Sequence, residues 1–279
     1  MVRSGMRCVV SGMFWSSILW SAVAFGQGTT WDHQIEAGRM AYSQAQYDEA
    51  AKLFSAALQE AEKSGPEDAR VATSLMELGQ TNAAQKRYGE AEPLYRRALA
   101  IREKVLGPDH LDVAKTLSSL ASLFYRVQNY PERAEPLLKR ALAILEKNLG
   151  PEDPEVAGML NSLAGRLREQ GKFTEAEPLF LRSLAIREKV LGPEHADFVK
   201  SLLGIASFYA EQGKYTEAEP FYQRSLEILE KLHAYGSAYP NVPGVLNSYA
   251  QLLRKTNRES EAVEMETRAK TTAADPAQR

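Results

Sequence analysis

Histidine is the residue type that most often binds metals or moves protons near neutral pH. The chain has four, His33, His110, His195 and His233. His110 and His195 occupy the same place in two copies of a repeated segment, and a third copy has Asp153 there. A metal site needs three or four converging ligands, and no HExxH spacing is present. We therefore expect a shared structural role in a loop and no metal binding.

The other residue types that carry chemistry form no catalytic arrangement. The one cysteine, Cys8, lies in the amino-terminal segment of residues 1–26, so the rest of the chain has no thiol for catalysis, disulfide formation or metal binding. Glycines occur singly, without a G-x-x-x-x-G-K-[ST] loop or a strand-associated G-x-G-x-x-G. No serine lies in a nucleophile-elbow sequence. The sequence predicts no enzyme activity and no cofactor.

The charge balance argues against binding to nucleic acid. The chain has 34 Lys and Arg residues against 36 Asp and Glu residues, a formal net charge of −2. Proteins that neutralise nucleic-acid phosphates carry a basic excess. With 44% hydrophobic and 25% charged residues in 279, the composition is that of a globular protein with ample apolar surface to bury.

The amino-terminal segment, residues 1–26, has the organisation of a secretory signal peptide. Arg3 and Arg7 precede an apolar run from Val9 to Phe25 that ends in small residues. The alternative is an uncleaved membrane anchor, because about 18 apolar residues begin to span a bilayer. In both cases the positive residues stay in the cytoplasm. We expect the remainder to be exported, either periplasmic or secreted, with membrane contact only if this segment is uncleaved and anchors it.

A repeated segment runs through the rest of the chain. Residues 98–110 read ALAIREKVLGPDH, and residues 183–195 read SLAIREKVLGPEH. Successive copies are 43, 42 and 42 residues apart, as shown by AEP triplets that begin at Ala91, Ala134, Ala176 and Ala218. Looser copies on both sides extend the pattern to six units. A fixed period of this length is typical of a solenoid, whose units bury their apolar faces by stacking on their neighbours.

Each unit has the pattern of two helices. Leu117, Leu120 and Ala121 follow the spacing of one apolar helix face, and no segment alternates as a strand would. Thr174 and Thr216 begin T-E-A-E segments, which predict capping boxes at the start of second helices. Recurring L-G-P tripeptides supply a glycine suited to a left-handed cap and a proline that ends the helix.

The repeats resemble tetratricopeptide repeats. Gly79, Tyr88, Ala91 and Tyr95 match the small and aromatic packing positions of that repeat. The longer unit and the phrase LGPDHLDVA resemble the 42-residue repeats of the kinesin light chain type. The resemblance implies an all-α fold, a right-handed superhelical solenoid of antiparallel helix pairs with about six repeats over residues 31–272. We expect residues 273–279 to be a disordered tail.

In tetratricopeptide folds the first helix of each pair lines a concave groove, so the resemblance also implies which side chains face it. The selected positions are Lys115, Ser122, Arg126, Asn161, Arg168, Lys200, Ser207, Asn247, Gln251 and Arg254, with Gly165 in the same register. The asparagine amides could bond an extended peptide backbone as donor and acceptor. The arginines could clamp the carboxylates of an acidic peptide. The alternative is a solvated helix face of mixed charge.

The sequence therefore predicts an exported, non-catalytic scaffold or adaptor that binds a protein or peptide, acidic if the arginines act as clamps. The alternative is a structural assembly protein of a cell-envelope complex that acts through the solenoid ends or the convex face. The sixth unit has Glu259 and Glu266 where other units have Tyr or Phe, which suits a water-facing terminal helix and argues against stacking at that end.

Overall fold

The computed structural model describes residues 29–127, 131–234 and 242–273, and the regular structure in those ranges is entirely helical. The helices alternate between the first and the second member of a pair. The first helices are α1 (Thr30–Ser43), α3 (Ala69–Ala84), α5 (Leu111–Arg126), α7 (Pro154–Glu169), α9 (Ala196–Glu211) and α11 (Val242–Lys255). The second helices are α2 (Tyr47–Glu62), α4 (Tyr88–Leu106), α6 (Pro131–Leu149), α8 (Phe173–Leu191), α10 (Tyr215–Ala234) and α12 (Glu259–Ala273). The predicted all-α solenoid of helix pairs is confirmed.

Two predicted terminal segments fall wholly or mainly outside the described residues. The predicted signal peptide or anchor, residues 1–26, is one of them. The other is the predicted tail, of which residues 274–279 lie outside, while Ala273 is the last residue of α12.

Each helix packs on its neighbours in the chain through positions that recur in every unit. The fourth residue of every second helix is a fully buried alanine: Ala50, Ala91, Ala134, Ala176, Ala218 and Ala262. The eighth residue is Phe54, Tyr95, Leu138, Phe180, Tyr222 and Glu266 in turn. The alanine lets the two helices of a pair approach closely, and the large side chain at the eighth position of the first five pairs fills the space beside it.

Recurring side chains cap the first helices. His110 and His195 accept a hydrogen bond at Nδ1 from the backbone N–H two residues later, both at 3.1 Å. Asp153 does the same with a carboxylate oxygen, at 2.7 Å. Each side chain satisfies an amide that the helix leaves without an internal partner. The predicted shared loop role of these three residues is confirmed, and it is a helix N-cap.

Glycines end the second helices before the recurring prolines. Gly107 and Gly192 have φ of 90° and 82° with ψ of 156° and 166°. The positive φ agrees with the predicted glycine requirement, but ψ is extended rather than left-handed helical. Only glycine commonly adopts that combination, so the backbone can turn directly into the cap of the next first helix.

The predicted capping boxes at Thr174 and Thr216 are wrong. Helix α8 begins one residue earlier, at Phe173, and its N-cap Lys172 makes no side-chain capping bond. Helix α10 likewise begins before Thr216. The aromatic residue at the start of α8 packs against Phe208 with ring centroids 5.9 Å apart, and this burial outweighs the hydroxyl cap that the local sequence offers.

The repeated segment of the sequence joins consecutive units. From α4 onward, one arginine of each second helix forms an ion pair with a glutamate of the preceding second helix, in the pairs Arg97–Glu62, Arg140–Glu103, Arg182–Glu146, Arg224–Glu188 and Arg268–Glu230. These pairs are partly exposed, so each adds at most about 1 kcal/mol. Two of these glutamates, Glu103 and Glu188, are the glutamates of the repeated Arg-Glu-Lys phrase, so the ion pairs account for that part of the repeat.

Candidate functional site

First helices contact one another at several points along the solenoid: α3 contacts both α1 and α5, and α7 contacts α9. A cleft of about 380 Å³ lies between α1, α3, α4 and α5. Its lining includes Tyr42, Gln80, Ala84, Tyr95, Ser122 and Arg126, and we call it the N-terminal cleft. An adjoining cleft of about 410 Å³ shares Gln80 and two serines with it and extends the depression toward Lys115.

A second cleft, of about 310 Å³, lies between α9, α10 and α11. Its lining includes Ser207, Glu211, Tyr215, Tyr222, Gln251 and Lys255, and we call it the C-terminal cleft. The two clefts occupy equivalent places in the repeat. A tyrosine at the eighth position of a second helix and a cation at the end of a first helix line both of them.

The structure brings together five of the ten predicted groove residues. Lys115, Ser122 and Arg126 line the two N-terminal depressions. Ser207 and Gln251 line the C-terminal cleft. These five lie on first helices, as the register predicts.

The other predicted polar residues lie apart from these clefts. Asn247 is exposed on α11, and Lys200 is exposed and pairs with Asp197 at 2.7 Å. Asn161 has its Oδ1 buried without a hydrogen-bond partner among the described residues. This oxygen lies 3.2 Å from the point that a Cβ on Gly204 would occupy, so it is turned into the contact between α7 and α9.

Two of the three predicted clamp arginines bind carboxylates of their own chain. Arg168 lies 3.4 Å from a carboxylate oxygen of Glu211. Arg254 lies 3.1 Å from one of Glu259 and also pairs with Glu266, and these carboxylates raise the pKa of its guanidinium. Arg126 is exposed and forms no ion pair with any residue that the structure describes. It differs from the other two by its position, as the last residue of its helix.

The sequence register missed the contribution of α1, α3 and α4. Gln80 lies 42 residues before Ser122, one repeat earlier. Extending the groove register by one unit toward the amino terminus therefore identifies Gln80 as a groove residue. The sequence predicts a packing role for Tyr95, and the residue is only 3% exposed, yet it also lines the cleft. Burial raises the pKa of the Tyr95 phenol, and Arg126 opposes the shift, so the phenol stays protonated at neutral pH.

Within residues 29–127, 131–234 and 242–273, no group of three His, Asp or Glu side chains is placed to hold a metal ion. In those ranges, too, no helix has both the length and the hydropathy that a bilayer crossing requires.

The sequence profile of the family described as "Tetratricopeptide repeat" matches residues 32–104, 70–147, 128–189, 155–231 and 197–274. The fold is similar to that of BtubC from P. vanneervenii, with a TM-score of 0.69, 21% identity and coverage of 88% of this chain and 92% of that one. The kinesin light chain TPR-like repeat protein of Podosopora anserina gives a TM-score of 0.64, 26% identity and coverage of 72% and 95%. PilW, a type IV pilus biogenesis factor, gives a TM-score of 0.64 with 16% identity and covers 90% of this chain and 97% of its own. No curated protein matches the sequence.

Proposed function

The chain belongs to the tetratricopeptide repeat family, and we propose that it is an exported scaffold that binds a protein or peptide in the groove formed by its first helices. The repeat fold is typically a non-catalytic scaffold, and we propose no reaction for this chain. The observation that carries the proposal is the pair of polar clefts, which lie at equivalent positions of the repeat and are lined by first helices.

The side chains that line these clefts are held by the packing of the solenoid. Tyr95 and Tyr222 rise from second helices whose fourth residues are fully buried, and both rings are almost fully buried themselves. Their positions are therefore fixed before a ligand arrives. A surface of this kind loses little conformational entropy on binding, so more of the contact energy appears as affinity.

The charges support the groove over the second helices as the binding face. The line of arginine–glutamate pairs between consecutive second helices neutralises charge within the chain. In the groove, Arg126 and Lys255 end their first helices without an ion pair to any described residue. Unpaired charges and hydroxyls are what a polar ligand can use.

Export is part of the proposal because the amino-terminal segment resembles a secretory signal peptide. Residues 1–26 combine two arginines, an apolar run and small residues at its end, which is the pattern of a secretory signal. The scaffold would then meet its partner outside the cytoplasm, where a folded domain without cysteine needs no disulfide to persist.

The test is partner capture with a blocked groove. Gly165 lies on α7 in the register of the predicted groove positions, and a Cβ there would meet no atom within 4 Å beyond its own helix backbone, so Gly165→Arg adds a long side chain without displacing the fold. Ala100→Arg places the same side chain on an exposed position of a second helix, α4. The full chain and both variants are used to capture partners from extracytoplasmic extract. Mass spectrometry then identifies the captured partners.

We expect the parent and Ala100→Arg to capture the same partner and Gly165→Arg to lose it while keeping its far-ultraviolet circular dichroism spectrum. Equal capture by Gly165→Arg would remove the groove as the binding face. The interaction would then have to be sought at the solenoid ends or the convex face, as in a structural assembly protein.

A further inference from the structure

We propose that the chain has a second binding site, separate from the groove, in a cleft lined by α2 and the residue that precedes α4. The site takes a helix of a partner protein and holds an Asp or Glu side chain of that helix with Arg87. The cleft measures about 680 Å³, and its lining includes Asp48, Ala51, Lys52, Ser55, Ala56 and Arg87. We call it the outer cleft. It lies where the first repeat unit meets the second.

The first support is a recurring carboxylate that α2 lacks. The fifth residue of α4, α6, α8 and α10 is a glutamate, in turn Glu92, Glu135, Glu177 and Glu219. Each accepts a hydrogen bond from a side chain of the next unit, and the donors are Arg133 at 3.4 Å, Lys172 at 2.6 Å, Tyr209 at 2.8 Å and Arg258 at 2.6 Å. The fifth residue of α2 is Ala51. The junction of the first two units therefore has a short side chain where the next four junctions have a carboxylate.

The second support is that the cation of this junction is present. Arg87 directly precedes α4, as Lys172 precedes α8 and Arg258 precedes α12. Lys172 and Arg258 each bind a recurring glutamate at 2.6 Å, whereas Arg87 lines the same cleft as Ala51. Arg87 therefore has the position of a carboxylate-binding cation whose recurring partner is an alanine.

The ion pair that Arg87 forms leaves it able to bind a further carboxylate. Its guanidinium lies 3.6 Å from Asp48, whose side chain is 80% exposed and also accepts a hydrogen bond from Gln85 at 2.7 Å. A guanidinium has five N–H donors, and a carboxylate can accept two of them in parallel. Arg87 and Lys52 together exceed the charge of Asp48, so the outer cleft attracts an acidic side chain.

The walls of the outer cleft suit a helix rather than an extended peptide. Ser55 donates its hydroxyl hydrogen to the Ala51 carbonyl at 2.7 Å, and the backbone of α2 is bonded within the helix. An extended peptide would find few partners here for its own N–H and C=O groups, whereas a helix satisfies them internally. The short side chains of Ala51, Ser55 and Ala56 lie on one face of α2 and let the axis of a second helix approach closely.

A second copy of this chain, stacked end to end, would be a poorer occupant. The tenth residue of each later second helix is the arginine of the recurring arginine–glutamate pairs, but in α2 it is Ala56. The glutamate of those pairs is the sixteenth residue, and the sixteenth residue counted from the start of α12 is Ala274. Neither end of the chain supplies its half of the ion pair, which favours a partner of different sequence.

The experiment is a selection of helical binders on the full chain. The displayed library is a three-helix bundle in which the exposed positions of one helix are randomised. It is selected on the parent, on Arg87→Gln, on Arg87→Glu and on the matched variant Lys172→Gln, which removes a cation at the same place of another unit. Ser55→Trp, which fills the outer cleft, serves as background, and circular dichroism confirms that each variant is folded.

We expect the parent to enrich Asp or Glu at one position of the randomised helix about tenfold over the Ser55→Trp background. Arg87→Gln should lose this preference, Arg87→Glu should replace it with Lys or Arg, and Lys172→Gln should keep it. Absence of enrichment over the background, enrichment without an acidic preference, or an acidic preference that persists in Arg87→Glu would each overturn the proposal.

A second measurement supplies the missing carboxylate from the chain itself. Ala51→Glu places a glutamate where later second helices have one, so it should pair with Arg87 and compete with the partner. We expect it to weaken binding of a selected acidic bundle about tenfold more than Ala51→Gln, which has nearly the same volume and no charge. Equal losses in both variants would overturn the role of Arg87. None of these outcomes decides the groove proposal, because Gly165 lies on a first helix, outside the outer cleft.

Discussion

The N-terminal and C-terminal clefts occupy the same place in the repeat but differ in charge. Each has a tyrosine at its floor and a cation, Arg126 or Lys255, at the end of a first helix. Where the first cleft has Ala84, the second has Glu211. The terminal residue of a first helix faces the groove rather than the core, so packing does not restrict its chemical type. Ligand preference can therefore vary from unit to unit on a constant scaffold.

The position of the tyrosine ring in the N-terminal cleft depends on a glycine. A Cβ at Gly79 would lie 2.8 Å from the ring of Tyr95, whereas one at Gly165, on another first helix, would meet nothing. Gly79→Ala should lower the free energy of unfolding by about 1–3 kcal/mol, because the buried ring must move. Gly165→Ala should raise it by up to about 1 kcal/mol through helix propensity. Urea unfolding followed by circular dichroism measures both, and changes of the same sign would contradict this assignment.

The substitution Ala84→Glu gives the N-terminal cleft a carboxylate at the position that Glu211 occupies in the C-terminal cleft. The new carboxylate should neutralise Arg126, as Glu211 counters the cations around it. We expect it to weaken binding of an acidic decapeptide taken from the captured partner about tenfold. Fluorescence anisotropy with the labelled peptide measures the change. Ala84→Gln, which has nearly the same shape without the charge, should bind within about threefold of the parent. Equal losses in both variants would show that size, not charge, is responsible.

The two cleft tyrosines should differ in strong alkali. Burial raises the pKa of both Tyr95 and Tyr222, but a hydrogen bond with Ser207 opposes the shift at Tyr222. A raised pKa in the folded state contributes stability that is present below the unfolded pKa of about 10 and is lost as pH rises through the folded pKa. Above pH 10 the free energy of unfolding of the parent should fall by up to about 1.4 kcal/mol per pH unit for each such phenol.

The measurement is urea unfolding between pH 9 and about pH 11 for the parent, Tyr95→Phe and Tyr222→Phe. Each phenylalanine variant lacks one titrating group, so its stability should fall less steeply, and the difference should be larger for Tyr95→Phe. Identical slopes for the parent and Tyr95→Phe would show that this phenol ionises as freely in the folded state as in the unfolded one.

The converse substitution, Glu211→Ala, gives the C-terminal cleft the residue type of the N-terminal one. It should release Arg168 from its ion pair and leave Lys255 without a neighbouring carboxylate. We expect a second, weaker site for the same acidic decapeptide and an increase of about threefold in overall binding. Calorimetric titration should show the additional site, and an unchanged stoichiometry would mean that the two clefts differ by more than this charge.

Comparison of the copies of the repeat predicted the architecture and one capping role. The period, the helix pairs and the common role of His110, His195 and Asp153 all followed from comparing copies. The prediction of capping boxes was wrong because the capping motif at Thr174 competes with the packing of Phe173, the residue before it. That packing depends on Phe208, which lies in another unit. The local sequence shows the capping motif but does not show the contact with Phe208 that competes with it.

The groove residues show the same limit. Arg126, Arg168 and Arg254 are indistinguishable as residue types on first helices, and the sequence predicts the same clamp role for all three. The structure separates them, because the carboxylates that occupy Arg168 and Arg254 come from elsewhere in the solenoid. Which cation remains available to a ligand is decided by packing between units, so a motif within one unit cannot reveal it.

The central claim is that the ligand binds on the face formed by the first helices. Hydrogen–deuterium exchange of the full chain, with and without the captured partner, tests it most directly, because a bound ligand suppresses the opening of the helices that it contacts. We expect protection of amides in first helices, with α3 and α5 among them, and little change in the second helices. Protection confined to the second helices would contradict the account.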